Sequence, residues 1–160
     1  MLQGIILMEA KMDAITHSTE KLRQAVDGFW DTYPPLWRSI QAHIRSLAEE
    51  QFQITLEQFH LLRHIRRGRN SVSALAEMRG ISRPAVSHSV DLLVTRGLIV
   101  RSVDPLDRRH VKLDLSTAGN SLMDTVFGDT RQWMMEKFAA LTEDEIEALT
   151  GSLESLKRII

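Results

Sequence analysis

The sequence predicts a mainly α fold carrying a small β wing of two to three strands. Three observations predict it. Apolar residues recur at three-, four- and seven-residue steps through most of the chain, in segments that open on Ser or Thr. Two short helical segments near the middle are separated only by Arg79-Gly80-Ile81. Two stretches rich in β-branched or alternating apolar residues, 98–103 and 111–115, bracket a polar tip. At 160 residues and 43% hydrophobic, with a net charge of −1, the chain can bury a real core and lacks the composition of a disordered polymer.

Each element has a local cause. From about 13 to 33, Ile15, Leu22, Ala25, Val26 and Phe29 keep helical spacing. Pro34-Pro35 predicts that this helix stops or kinks there, because proline lacks an amide donor, and Pro35 can open the next turn. Leu36, Ile40, Ile44 and Leu47 form a new stripe. Thr55 opens another helix with Gln58 at the capping-box position, an apolar face of Phe59, Leu62 and Ile65, and Gly68 as its stop. Ser71 caps a short helix containing Val72, Leu75 and Ala76. Gly80 can take the positive φ of a tight turn. Ser82 then caps a helix that tolerates Pro84 in its first turn, buries Val86, Val90 and Leu93, and closes at Gly97. After the two strands, Ser116 caps a long helix with Leu122, Val126 and Trp133, and Thr142 with Glu145 opens the last, with Ile146, Leu149, Leu153 and Leu156.

Several function classes are excluded or disfavoured. No run of 18 apolar residues is present, so no membrane span is expected. The opening Leu2, Ile5, Ile6, Leu7 and Met8 lack a basic flank and a cleavage site, which argues against a signal peptide. Cysteine is absent, which removes disulfides, thiol catalysis and Cys-ligated metals and fits a cytoplasmic protein. There is no phosphate-cradling glycine loop and no nucleophile elbow.

The near-neutral charge is segregated. Between Arg63 and Lys112 lie eleven basic and four acidic residues, a surplus of seven, while the rest of the chain carries nine basic and seventeen acidic. Ten of those eleven are Arg, whose planar fork suits phosphate and base edges. A basic middle between acidic ends points to a polyanion-binding module in a self-associating frame.

A helix-turn-helix followed at once by a basic-tipped hairpin is a winged helix. The residues Ile81-Ser82-Arg83-Pro84-Ala85-Val86-Ser87, Leu92-Leu93-Val94-Thr95-Arg96-Gly97-Leu98-Ile99, Asp104-Pro105-Leu106-Asp107-Arg108-Arg109 and Leu113-Asp114-Leu115-Ser116-Thr117-Ala118-Gly119 resemble the MarR family of bacterial transcription regulators. The resemblance runs from about Thr55 to Gly119; the flanks match only in helical layout.

The chemistry of DNA reading maps onto these residues. With Val86, Val90 and Leu93 inward, Ser82, Arg83, Pro84, Ala85, Ser87 and His88 are expected on the DNA-facing side. Arg83 can bind guanine O6 and N7 bidentately, Ser87 can serve a phosphate or a base, and Pro84 or Ala85 can touch a thymine methyl. At the wing, the resemblance implies that Asp107 braces Arg109 for entry into the minor groove, with Arg108 on phosphate or groove wall.

The resemblance also implies a homodimer built from the N- and C-terminal helices, reading a pseudo-palindrome through recognition helices about one DNA turn apart. The apolar surplus of those helices agrees, with Ile15, Leu22, Leu149, Leu153 and Leu156 among the expected contacts. Residues 1–53 are thus assigned to dimerisation and a possible effector pocket, 54–116 to the winged helix, and 117–160 to further dimerisation helices. The family often binds small aromatic or anionic effectors. Here Trp30, Tyr33 and Trp37, with Arg38 and His43, are the candidates, although aromatics at helical spacing are more commonly core or interface.

The expected function is a sequence-specific, double-stranded DNA-binding repressor relieved by a small ligand, with no cofactor, no metal and no enzymatic activity. Two alternatives stand beside it. One is a sequence-indifferent architectural DNA-binding protein, which the acidic flanks disfavour. The other is a metal-dependent enzyme using His60 and His64, four apart on one helix, which lacks the Glu of a hydrolytic H-E-x-x-H motif.

Overall fold

The computed structural model describes the backbone of residues 2–103 and 111–160 and the side chains of residues 19–102 and 111–160. Its elements run α1 (Leu2–Phe52), α2 (Leu56–Arg66), α3 (Val72–Arg79), α4 (Arg83–Thr95), β1 (Ile99–Val103), β2 (Val111–Leu115), α5 (Thr117–Phe138) and α6 (Glu143–Lys157). The chain divides into two compact units, Met1–Ala42 and His43–Ile160.

Of the stop or kink expected at Pro34-Pro35, the stop is not found, because α1 keeps its helical conformation through both prolines. The reason is that proline's fixed φ, near −65°, is itself helical. What the pair removes is two amide donors, opposite the carbonyls of Trp30 and Asp31, and the turns on either side carry the helix past that gap. In the first unit Arg23 is held between Glu20 and Asp27, at 2.7 and 2.9 Å. Leu22, Val26, Phe29, Tyr33 and Leu36 all remain exposed.

In the second unit the helix starts follow the caps. The hydroxyls of Ser71, Ser82 and Ser116 accept from the amides of Ala74, Ala85 and Gly119. Thr55 with Gln58 and Thr142 with Glu145 form complete capping boxes, each satisfying two otherwise orphaned amides. Glycines make the stops where positive φ is needed. Gly80 has φ 64° at the end of α3, and Gly97 has φ 70° after α4, in a Schellman motif that bonds Gly97 N–H to the Val94 carbonyl and Leu98 N–H to that of Leu93.

The core is built by α2, α3, α4, the hairpin and α5. Phe59, Leu62, Leu75, Val86, Val90, Leu93, Ile99, Leu113, Met123 and Val126 are essentially inaccessible. Phe59 meets Phe127 edge-on at 5.7 Å, and Arg66 of α2 pairs with Asp124 of α5 at 2.7 Å. The strands pair antiparallel, with Ile99 opposite Leu115 and Arg101 opposite Leu113. The described sheet has two strands. Leu113 N–H also donates to the Asn70 carbonyl at 2.8 Å, which ties the loop before α3 to the hairpin without adding a strand. Of α6, no residue is buried.

Candidate nucleic-acid interface

Burial orients α4. Val86, Val90 and Leu93 are fully buried, which turns the intervening positions outward. Arg83, Pro84, Ala85 and His88 are exposed and Ser87 is half-buried, so the first two turns present a short mixed surface of one cation, one imidazole and small apolar groups. Arg83 has no ion pair among the described residues. The Ser82 hydroxyl is already engaged as the helix cap, accepting from Ala85 N–H at 3.4 Å, so its chief role in the structure is to start the helix. Asp107, Arg108 and Arg109 lie outside the described residues.

The hairpin is tied to this helix. Arg101 of β1 pairs with Asp91 of α4 at 2.7 Å. Neither residue was singled out in the sequence as a pair. Both side chains are partly solvated, so the link contributes orientation more than stability.

At the far end of α4 a second tie is stronger in geometry. The two terminal nitrogens of the Arg96 guanidinium donate to the backbone carbonyls of Gln53 and Phe52, where α1 ends. A cation at a helix C-terminus satisfies carbonyls that have no intrahelical partner. The sequence shows Arg96 within the Leu92–Ile99 motif and the basic middle, with no role of its own. Its partners are 43 and 44 positions away, so no local signal names them.

The expected effector residues fall in two places. In the first unit Phe29 and Tyr33 stack at 5.1 Å, and Tyr33 and Trp37 at 6.3 Å, while Trp30 is 67% exposed. Arg38 is exposed in the same unit. In the second unit His43 stacks on Trp133 at 4.6 Å, with Lys137 Nζ 5.6 Å from the same indole.

His60 and His64 share a face of α2 with Arg63, beside the Arg79–Glu57 ion pair. Burial, then the positive charge of Arg79, holds the His60 imidazole below its ordinary pKa, against the opposing pull of Glu57. Burial, then Arg63 and Arg79, does the same to His64. Such surroundings disfavour a further cation. Among the described residues no group of three His, Asp or Glu side chains could hold a metal. No described helix is long and apolar enough to cross a membrane.

A capped helix pair with a glycine turn, closed by an antiparallel hairpin, defines a winged-helix protein. Comparison with known proteins narrows the class. Residues 52–110 match the family model described as MarR family. The HTH-type transcriptional regulator MhqR of Bacillus subtilis (strain 168) is 31% identical over 75 residues, covering 47% of this chain and 50% of its own. The transcriptional regulator Tm0710 of Thermotoga maritima shares the fold, with a TM-score of 0.73 at 21% identity over 83% of this chain and 94% of its own. A mutant of S. aureus MepR, solved bound to an oligodeoxyribonucleotide, superposes with a TM-score of 0.58 at 26% identity over 79% of this chain and 96% of its own. The chain spans about half the length of the curated relatives it matches. Over its winged helix, residues 52–110, the chain is similar to the MarR family.

Proposed function

We propose that the protein is a homodimeric, sequence-specific DNA-binding transcriptional regulator of the cytoplasm, a repressor that a small aromatic or anionic ligand releases, and not an enzyme. One observation carries the reading. The first two turns of α4 expose Arg83, Pro84, Ala85 and His88, while the same helix buries Val86, Val90 and Leu93. A helix so oriented can enter the major groove with its N-terminal residues on base edges. The neighbouring hairpin would carry Arg109, braced by Asp107 and flanked by Arg108, to the minor groove. The DNA-bound MepR relative supports the same use of the fold.

The dimer is supported by apolar surface left uncovered. Ile146, Leu153 and Leu156 of α6 are 44%, 51% and 40% exposed, and Leu22 of α1 is 66% exposed. These helices frame the winged helix of 54–116 from both sides in sequence, as dimerisation segments 1–53 and 117–160. Ligand response is assigned to Trp30, Tyr33, Trp37 and Arg38 in the first unit and to His43 in the second, each taken by itself, and acts by favouring a half-site spacing that mismatches the operator.

The test is binding of the full chain to its own promoter duplex and to a scrambled duplex of equal composition, across a salt series. Tight, promoter-selective binding that weakens steeply with salt is expected, from counterion release at phosphates. Equal affinity for both duplexes would favour the architectural reading, and a flat salt response would remove the electrostatic part.

A further inference from the structure

Helix α4, packed along its length through Val86, Val90 and Leu93, is tied by hydrogen bonds at its C-terminal end. Its C-terminal turn meets two other elements within three residues. Arg96 donates through both terminal guanidinium nitrogens to the Phe52 and Gln53 carbonyls at the close of α1. The next two carbonyls are taken by the start of α5: Gly97 accepts from the Ser116 hydroxyl at 2.6 Å, and Leu98 from Ser116 N–H at 3.1 Å. The N-terminal turn, with Arg83, Pro84, Ala85 and His88, is exposed. A rod of 13 residues, about 20 Å long, therefore has its hydrogen-bonded ties where it ends and its exposed side chains where it begins.

The α1 side of the joint is shaped to receive a fork. Gln53 has φ 51°, the left-handed conformation that ends a helix, and its N–H bonds back to the Glu49 carbonyl at 3.1 Å. That turn aims two successive carbonyls at one guanidinium. Arginine can span both, because its donors are fixed in a plane; a lysine ammonium is a point charge that cannot reproduce the pair.

From this geometry we propose that Arg96 is a positioning residue that sets the inclination of α4, and through it the discrimination between DNA sequences, by coupling the reading helix to the end of α1. The proposal rests on the reading that α4 meets DNA bases. A tilt of 10° about the anchored end would move the other end by about 3 Å, given the length of the rod. A bidentate contact to a base edge keeps its strength only within a few tenths of an ångström. Contacts to phosphate, which tolerate movement through long flexible side chains, would suffer far less. Arg96 thus governs the difference between specific and non-specific affinity without touching DNA.

The experiment uses the full chain with Arg96→Lys and, separately, Arg96→Gln, measured against the wild type on promoter and scrambled duplexes at several salt concentrations. Thermal melting runs in parallel, and affinities are referred to the folded fraction. For Arg96→Lys, the expected result is about a tenfold loss on the promoter, less than about twofold on scrambled DNA, and an unchanged salt slope. Simple loss of stability lowers both affinities together and leaves their ratio fixed, so the ratio separates positioning from folding. An unchanged ratio in both variants overturns the proposal. So does a uniform loss with a salt slope reduced by about one, which would make Arg96 a phosphate contact. A wild type that does not separate promoter from scrambled DNA overturns the base-reading premise and takes the proposal with it. Should Arg96→Gln fail to fold, Arg96→Lys keeps the charge at the α1 terminus and decides alone.

Discussion

Gly119 lies directly against the backbone of Leu98: a β-carbon on Gly119 would stand 2.1 Å from the Leu98 carbonyl oxygen. The first turn of α5 can approach the chain between α4 and β1 only because this position has no side chain. The same Leu98 carbonyl accepts the Ser116 amide, so the contact and the hydrogen bond form one joint. The obstacle is backbone, which cannot swing aside as a flexible side chain would. Gly119→Ala is expected to destabilise the fold by about 2–3 kcal/mol, read by urea denaturation. A change below about 0.5 kcal/mol would mean that α5 shifts freely on the hairpin and that the joint is loose.

Arg83 and Arg109 are predicted to act on the two grooves separately. Arg83→Ala and Arg109→Ala are each expected to weaken promoter binding by about 1–3 kcal/mol, with melting unchanged. Arg83 is exposed on α4 with no ion pair among the described residues, so its removal disturbs nothing inside. The Arg83 variant should also relax the preference at one base pair, whereas the Arg109 variant should lose preference for narrow A·T-rich flanks. Intact affinity in a folded Arg83→Ala protein would take this residue off the reading surface.

The histidines of α2 predict a dependence of stability on pH. His60 and His64 are both held below the ordinary imidazole pKa in the folded protein, chiefly by burial and then by nearby Arg side chains. A group whose pKa is depressed by folding binds more protons when the chain unfolds. Stability from this source is complete above the unfolded pKa and declines as pH falls below about 6.5. Melting temperature should therefore drop between pH 7.5 and pH 5.5, and the drop should shrink in a His60→Gln, His64→Gln double variant. A double variant as acid-sensitive as the wild type over that window would place the effect on other groups.

The uncovered face of α6 offers a test of the proposed dimer. Leu153 is 51% exposed, so Leu153→Glu should cost the isolated protomer no more than about 0.5 kcal/mol. In a dimer that buries this leucine, the loss of its apolar contact should raise the dissociation constant at least about tenfold. Sedimentation over a concentration series would show the shift toward monomer. An unmoved equilibrium would exclude Leu153 from the interface.

The sequence by itself determined where the helices of the second unit begin and which face α4 buries. Thr55 with Gln58, Ser71, Ser82, Ser116, and Thr142 with Glu145 all cap as their spacing predicts, because a cap joins a side chain to an amide only three residues on. The stripe of Val86, Val90 and Leu93 was equally legible, since helical periodicity needs no partner to be read. Tertiary structure alone decided the rest. The run of α1 through Pro34 and Pro35 overrode a local rule, as the flanking turns carry the helix across two missing donors. The fork of Arg96 on Phe52 and Gln53, the pairing of Arg101 with Asp91, and the seat of Gly119 under Leu98 join residues from separate elements. Each depends on where the packed core brings two helix ends, or a helix and a strand, and that distance is set by the whole fold and not by spacing along the chain.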